Sequence, residues 1–472
     1  MATFRREKTI DGENDILSSG RRFFPVFRYL RGLKNMVNAI IGTISRIMDI
    51  EKKIEHVYAV FREGGKVVID SREVKEGDIF VAIQGEHRDG NLFAGQAIQQ
   101  GARCVVVSET AGAGERRVVV PDTLLFLQQL ARYHRRRLAI PLLGITGTNG
   151  KTTTKELCQA VLSRKCNTVA TRGNLNNHLG VPLTLLSMDA STRFGIVEMG
   201  ANHPGEIAAL CAIAEPDYGL ITNIGQAHLE GFGCRENIIR AKNELYDFVR
   251  ARGGLLFVNA RDELLVRLAR GIPAVRYTGE VKQLYPYLTC DAELPAGHLY
   301  IRTRLTGGYN LDNVMAAVAV GLYFGVDPLL VRDAIEAYVP SNLRSQLVRG
   351  LRNTIVLDAY NANPDSMRAA ISHFAGMPGE NKLLVLGEML ELGDHSPGEH
   401  AGLLEWIAGE CPSPLWLVGR SFEKPASDYP LARWFPDTGA LVEFLRREPL
   451  SSSLILVKGS RGNRLEQIVE YL

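Results

Sequence analysis

The segment Thr146-Gly147-Thr148-Asn149-Gly150-Lys151-Thr152 constrains this chain more than any other feature. It follows the apolar run Leu142-Leu143-Gly144-Ile145 and precedes a stretch with Leu157, Val161 and Leu162 at helical spacing. The order is therefore strand, glycine-rich loop, helix. Such a loop turns backbone N–H groups toward phosphate oxygens, and the helix N-terminus adds partial positive charge. Lys151 adds a full charge and Thr152 offers a hydroxyl to Mg²⁺. The match to Gly-x-x-x-x-Gly-Lys-Ser/Thr is incomplete, because position 145 is Ile and Gly144 stands one place early. A plain glycine turn with a solvated lysine is the alternative; Gly-Lys-Thr lodged between strand and helix argues against it.

A chain of 472 residues suggests two to four domains. Hydrophobic residues at 46% and charged residues at 23% exclude disorder, collagen-like repeats and a disulfide-stapled mini-protein. No apolar run is long enough for a membrane-spanning helix, and a net charge of +3 demands no nucleic acid. The seven cysteines are odd in number, far apart and without a Cys-x-x-Cys pair, which favours a reducing cytosol over a zinc site or a disulfide framework. Residues 1–47 hold nine Lys/Arg against four acids. Met36, Val37, Ile40, Ile41, Ile44 and Ile47 fall at helical spacing, so a basic amphipathic helix on a membrane surface is one reading. The plainer reading is a disordered or untranslated extension before Met48, which opens a well-patterned segment.

Three blocks follow. Residues 48–136 mix short strands at Val67-Val68-Ile69, Ile79–Ile83, Cys104–Val107 and Val118–Val120 with a helix over Leu124–Arg137. The basic end of that helix, Arg132-Tyr133-His134-Arg135-Arg136-Arg137, reads as a solvated terminus that suits the helix dipole. Residues 137–340 alternate strands and helices, with strands at Gly195–Val197, Tyr218–Thr222 and Leu255–Val258, implying a mostly parallel sheet around the phosphate loop. Tyr338–Asn342 is a turn-rich candidate hinge. Residues 341–472 show four strands, Thr354–Leu357, Lys382–Leu386, Leu415–Val418 and Leu454–Val457, as in an open Rossmann-like sheet. The predicted class is α/β in three domains: a small mixed domain, a central phosphate-loop domain and a C-terminal Rossmann-like domain.

Other residues carry chemistry less distinctively. Glu198 ends a strand in the phosphate-loop domain, where a carboxylate suits Mg²⁺. His228 and Glu230 follow another strand end, and on chemistry alone the histidine reads as structural, since Mg²⁺ prefers oxygen. Lys242, on a helical stretch, reads by itself as a surface residue.

Taken together, Thr146–Thr152, Glu198-Met199-Gly200, the stretch ending at Ala227-His228, and Lys242 resemble the Mur ligase superfamily, ATP-dependent amide-forming ligases of peptidoglycan precursor synthesis. Gly173–Leu186, Glu198–Ile207, His228–Gly233, Asp358–Met367, Gly387–Gly393 and Lys458–Arg461 narrow the resemblance to the members that add D-alanyl-D-alanine. It runs from about Met48 to the C-terminus. It implies a first domain for the UDP-sugar, a middle domain for ATP, and a last domain that takes the incoming amine and closes over ATP. The substrates implied are UDP-N-acetylmuramoyl-tripeptide and D-alanyl-D-alanine, joined through an acyl phosphate. The implied enzyme is cytoplasmic and expected to be a monomer, with no nucleic acid and no stable membrane insertion.

The resemblance also implies residue roles. Thr148, Asn149, Gly150, Lys151, Thr152 and Thr153 would hold ATP, with Asn310 and Asn313 in the nucleotide-contacting segment, Arg344 reaching the γ-phosphate and Asp358 the ribose. Thr152, Glu198, His228 and Lys242 would hold Mg²⁺, two ions being expected, with Lys242 carried as a carbamate. Lysine must be neutral to take up CO₂, so burial would have to depress its pKa. Lys151, Lys242, His228 and Arg344 would form the catalytic set. Ser71, Arg72 and Gln84 would meet the UDP-muramoyl group, and Asn174, Asn176, Asn177, Asn202, His203, Tyr360, Asn361, Asn363, Lys458 and Ser460 the remaining substrate. Two positions depart from the family pattern: Tyr309 stands where histidine is usual, and Ala359 where serine is usual.

The nearest rival is a superfamily ligase that adds a diamino acid to the dipeptide precursor, or glutamate to folate. The chain has no Asp-Asn-Pro-Arg motif of the diaminopimelate-adding kind. A rival of another class is a non-catalytic nucleotide switch or a membrane-associated binding module using the basic N-terminal helix. The intact mass of the native protein tests whether translation starts at Met48: a mass beginning at Met48 bears that out, and one beginning at Met1 overturns it.

Overall fold

The computed structural model describes residue 36 and residues 47–472, apart from 86, 87, 227, 228, 295, 296 and 351. The readings that fall on residues 1–35 and 37–46, and on His228, lie outside the described residues. The described residues fall into two compact units, divided between Phe126 and Leu127.

In the first unit, helix α1 (47–62) precedes β1 (Val67–Val68), β2 (Ile79–Val81), α2 (Ala94–Gln99), β3 (Cys104–Ser108) and β4 (Arg117–Val120). The four strands form one parallel sheet in the order β1-β2-β3-β4. Every residue of β2 and β3 is buried. One core gathers Phe80, Val105 and Val107 with Ala94 and Ala97 of α2, so these strands read as unbroken apolar runs.

Helix α3 (Thr123–Leu138) crosses into the second unit. Next come β5 (Leu142–Thr146), α4 (Lys151–Leu162), β6 (Thr168–Ala170), α5 (Gly180–Leu186), β7 (Phe194–Glu198), α6 (Glu206–Ala214) and β8 (Tyr218–Ile221). Then follow α7 (Leu229–Phe232), α8 (Arg235–Ala251), β9 (Leu255–Asn259), α9 (Glu263–Leu268) and β10 (Ala274–Tyr277). These strands build a parallel sheet ordered β10-β9-β8-β5-β7-β6. The strand that feeds the phosphate loop is thus central, and all five of its residues are buried.

An antiparallel sheet that the sequence reading did not foresee joins β11 (Glu280–Gln283), β12 (Thr289–Leu294) and β13 (Gly297–Arg302). Alternate residues of β12 and β13, such as Cys290, Ala292, Leu299 and Ile301, enter the same core as Leu143 and Leu157. The period-two pattern is short and interrupted by Asp291 and Glu293, which hides it in the sequence. Helices α10 (Leu311–Tyr323) and α11 (Pro328–Ala337) close this half.

The C-terminal half contains β14 (Gln346–Arg349), β15 (Thr354–Asp358), α12 (Pro364–Gly376), β16 (Lys382–Gly387), α13 (Ser396–Glu410) and β17 (Leu415–Val418). It ends with α14 (Glu423–Ala426), β18 (Ala432–Phe435), α15 (Thr438–Arg447) and β19 (Leu454–Lys458). Its sheet runs β14-β15-β19-β16-β17-β18, with β14 antiparallel. It has six strands where the sequence reading found four, because β14 and β18 are edge strands with few buried residues.

The basic end of α3 is a solvated terminus only in part: Arg132, Arg136 and Arg137 are exposed, and the expectation is corrected at Arg135. Arg135 is 5% exposed and donates to Asp217 Oδ2 at 2.8 Å and to Ala214 O at 3.0 Å. Arg132 and Arg136 both donate to Glu215 Oε1, at 2.8 and 2.7 Å. The acids lie some eighty residues downstream, beyond the reach of any local pattern. Burial alone would raise the Glu215 carboxyl, but hydrogen bonds from Arg136 and Arg132 outweigh it and hold it at about 2. A carboxyl depressed on folding adds stability above its ordinary 4.5, lost as pH falls toward 2. Glu215→Gln is expected to flatten that acid limb and, because the arginines it releases, Arg132 and Arg136, are half exposed, to cost about 1 kcal/mol at neutral pH. Urea melts across pH 2–7 measure both.

Candidate active site

The turn from β5 into α4 is shaped by what stands behind it. Gly147 has φ 141° and Gly150 φ 80°. A methyl group at Gly147 would run into Thr222 Oγ1, and one at Gly150 into Asn313 Oδ1. Asn223 grips the loop with both backbone and side chain: its carbonyl accepts from Thr148 N at 2.9 Å and its Oδ1 from Asn149 N at 3.0 Å. Its Nδ2 donates to Asn149 O at 3.0 Å, and Thr222 Oγ1 donates to the same carbonyl at 2.6 Å. Gly144 lies inside β5, against Leu245 of α8 and Pro216. The glycine expected one place later is therefore absent because helix and sheet approach closely at 144, while Ile145 is a core residue.

Asn310 and Asn313 are buried behind this loop. Asn310 donates to Thr306 O at 2.7 Å, Asn313 donates to Asn310 Oδ1 at 2.8 Å, and Thr154 Oγ1 donates to Asn313 Oδ1 at 3.0 Å. The pair ties α10 to the phosphate-loop helix.

Lys151 folds back on the loop, donating to Gly147 O at 2.8 Å and Thr148 O at 3.1 Å. Burial lowers its pKa; Glu198 opposes the shift, and Arg344 adds to it. Arg344 is thus within electrostatic reach of the loop. Thr152 Oγ1 and Asn176 Nδ2 both donate to Glu198 Oε1, at 3.2 and 2.9 Å. Glu198 Oε2 is buried with no hydrogen-bond partner among the described residues; its nearest cation is Lys155 Nζ at 3.7 Å. An orphaned carboxylate oxygen beside a hydroxyl is a donor set that suits Mg²⁺.

Lys242, which alone reads as a surface residue, is 2% exposed, and that reading is corrected. It faces inward on amphipathic α8, 3.5 Å from Ala201 O and over the Phe232 ring. Burial, with the Lys151 charge nearby, lowers its pKa to about 7. Such a shift leaves a substantial share of the amine neutral near neutral pH.

The C-terminal half meets the loop directly. Asn363, the N-cap of α12, donates to Asn149 Oδ1 at 2.9 Å, and Asp365 accepts from Gln226 N at 2.8 Å. Asp358 pairs with buried Lys458 at 2.6 Å, and Arg344 lies 3.9 Å over the Tyr360 ring. Ser460 Oγ accepts from Leu390 N, and Asn361 Oδ1 from Ala362 N. Tyr309 lies 3.0 Å through its hydroxyl from Ser345 Oγ, a contact across the junction.

The remaining expected residues are more dispersed. Asn177 caps α5 by accepting from Leu179 N and Gly180 N, while Asn174, Asn202 and His203 are exposed. Glu206 holds His203 at 3.3 Å. Ser71, Arg72 and Gln84 belong to the first unit, beyond the C-terminal ends of β1 and β2, with Ser71 buried and Arg72 forked onto Asp70. Sequence reasoning missed Thr222, Lys155 and Glu156, and gave no role to Asn223, which it met only as the first residue of the Asn-x-Gly-x-Ala-His stretch ending at His228. Lys155 and Glu156 carried a signal, an adjacent Lys-Glu pair one turn into the phosphate-loop helix. A cleft of about 620 Å³, lined by Asn223, Asn259, Arg261, Asp262, Arg267 and Asp312, opens on the β8–β9 side of the loop, opposite β7 and Glu198.

A phosphate loop in a central parallel sheet, joined to a second open α/β sheet, defines a nucleotide-binding protein of the P-loop class. Residues 66–135 match the Mur ligase family catalytic domain, 145–321 the Mur ligase middle domain, and 343–461 the Mur ligase glutamate ligase domain. The chain is 32% identical over 467 residues to UDP-N-acetylmuramoyl-tripeptide–D-alanyl-D-alanine ligase of Bacillus subtilis (strain 168), covering 94% of this chain and 98% of that one. The crystal structure of MurF from Acinetobacter baumannii superposes with a TM-score of 0.79 at 32% identity, covering 86% and 92% of the two chains. MurF ligase from Thermotoga maritima in complex with ADP gives 0.76 at 27% identity, covering 86% and 96%. The chain belongs to the Mur ligase family, with the α/β architecture of its three-domain members.

The depressed pKa of Lys242 has a direct test. Competitive acylation followed by peptide mass spectrometry should show Lys242 gaining reactivity as pH rises through about 7, because only the neutral amine reacts. If it gains reactivity only near 10.5, with ordinary lysines, the buried-amine description is wrong.

Proposed function

We propose that this chain joins D-alanyl-D-alanine to the terminal carboxylate of UDP-N-acetylmuramoyl-tripeptide at the expense of ATP. The observation that carries the reading is the alignment of Lys151, Thr152 and Glu198 on one loop and its neighbouring strand end, with a depressed-pKa lysine, Lys242, close by. The names of the relatives that match over nearly the whole chain support the choice of substrates. The ADP complex of the Thermotoga relative supports ATP as the nucleotide.

The reaction brings a carboxylate to a triphosphate, and two anions must meet in a cleft of low dielectric. Backbone N–H groups of 150–153, at the start of α4, would cradle the phosphates, since those of Thr148 and Asn149 are taken by Asn223, and Lys151 and Arg344 would supply positive charge. The cleft beside Asn259 and Arg261 would take the nucleoside, because it lies on the side of the loop away from Glu198. The substrate carboxylate attacks the γ-phosphorus, forming an acyl phosphate and releasing ADP. The amine then attacks the acyl carbon, forming the amide, and inorganic phosphate leaves as the amine sheds its proton. Mg²⁺, held by Thr152, Glu198 and, with carbamylation of Lys242, the new carboxylate oxygens, would screen the phosphate charge. Asn363 and Asp365 bring the C-terminal half against the loop, which supports exclusion of water from the acyl phosphate.

Domain limits at 48–136, 137–340 and 341–472 assign the UDP-sugar to the first, ATP to the second and the amine to the third. Ser71, Arg72 and Gln84 would bind the UDP-muramoyl group, and Tyr360, Asn361, Asn363, Lys458 and Ser460 the dipeptide side. The reading includes a cytoplasmic monomer; the seven unbridged thiols accord with a reducing compartment.

Phosphate release from Mg-ATP should require both the tripeptide nucleotide and D-alanyl-D-alanine, with a product heavier by the dipeptide. Lys151→Ala should abolish release and leave the melting curve unchanged. Turnover only with another amine would reassign the substrate, and wild-type turnover in the variant would remove the loop's assignment.

A further inference from the structure

The phosphate-loop helix carries an adjacent pair, Lys155 and Glu156, that the site as described does not use. Lys155 is 1% exposed. Its ammonium lies 3.7 Å from Glu198 Oε2 and 3.8 Å from Glu156 Oε1, so its charge is divided between the two carboxylates. Glu156 in turn holds the junction between the two large sheets. Tyr338 Oη donates to Glu156 Oε2 at 2.6 Å, and Asn342 Nδ2 donates to both carboxylate oxygens at 2.9 and 3.1 Å.

The junction needs such a hold. Leu343 and Ser345 have φ of 60° and 49°, left-handed conformations that non-glycine residues adopt only when the surrounding contacts hold them there. Arg344 sits between them. Downstream, Ser345 is secured by Thr306 Oγ1 donating to its carbonyl, by the Tyr309 hydroxyl and by its own N–H donating to Asp358 Oδ1. Upstream, Gln346 bridges Leu343 N and Pro340 O, and the only carboxylate on the described residues 338–342 is the one brought by Glu156. Arg344 has a buried Nε with no hydrogen-bond partner among the described residues, so its pose is set by its backbone and by stacking on Tyr360.

We propose that Glu156 is a positioning residue: by clamping Tyr338 and Asn342 to the phosphate-loop helix, it sets the backbone at 343–345 and thereby points Arg344 toward the loop that holds Lys151. The kinetic part of this proposal rests on the ligase reading; the structural part does not. Charge makes the clamp strong, since a carboxylate accepting from a phenol and an amide outcompetes a neutral acceptor.

The test uses Glu156→Ala, Glu156→Gln and Tyr338→Phe in the full chain, the last removing one hydroxyl with its ring retained. Amide hydrogen exchange across 338–346 should speed up about tenfold in Glu156→Ala with the rest of α4 unaltered. Unchanged exchange there overturns the proposal whatever the chain catalyses. In the ligase assay kcat should fall about tenfold in Glu156→Ala and less in the other two, with ATP affinity by titration of a fluorescent analogue within about twofold. Added to Arg344→Ala, Glu156→Ala should cost nothing further. Losses that add, or that appear in ATP affinity alone, assign Glu156 to helix stability instead and overturn the proposal. Absence of turnover in the unmodified chain defeats the ligase reading and leaves the exchange result to decide the clamp.

Discussion

The bracing of the phosphate loop from behind is the interaction on which the rest of the structure depends. Backbone N–H groups can serve an anion only if their carbonyl partners are held elsewhere. Here Thr222 and Asn223 hold the Asn149 carbonyl, and Lys151 holds those of Gly147 and Thr148. The two glycines admit that close support because neither position leaves room for a side chain. The central place of β5 follows from the same requirement: the loop must issue from a strand buried on both faces, with β8 on one side to supply Thr222 and Asn223 and β7 on the other to supply Glu198.

Charge is then distributed around a fixed frame. Lys151 and Lys242 are both pushed toward neutrality by burial, and Lys242 is pushed further by the Lys151 charge. A site that receives several anions from solution can tolerate two such lysines, since the incoming charge restores what burial removed. Glu198, with one oxygen paired and one orphaned, sits between them in function as an acceptor of positive charge. The arginines of α3 work on the opposite principle. Their acids are supplied internally, so Glu215 stays ionised and the pairing is structural.

Legibility in the sequence varied with the range of the determining contact. The loop, the strand before it and Glu198 were readable because each is announced by a local pattern of glycine, lysine and apolar run. The inner strands of all three parallel sheets were readable for the same reason. Edge strands β14 and β18 and the antiparallel β11–β13 were not, since half-polar strands of four to six residues resemble loops. Lys242 and Arg135 were misread as exposed when taken alone. Their burial is decided by α6, β8 and the chain near residue 201, far away in sequence.

The sequence by itself determined the α/β class, the phosphate-loop chemistry and, through resemblance, the ligase family, because those depend on short segments whose residue types have few other uses. Only the tertiary structure decided which charges are buried, which carboxylate oxygen lacks a partner and how the junction at 338–346 is held. Those properties depend on dielectric environment and on side chains meeting across 40 to 210 residues. No local pattern encodes the distance between two atoms brought together by folding.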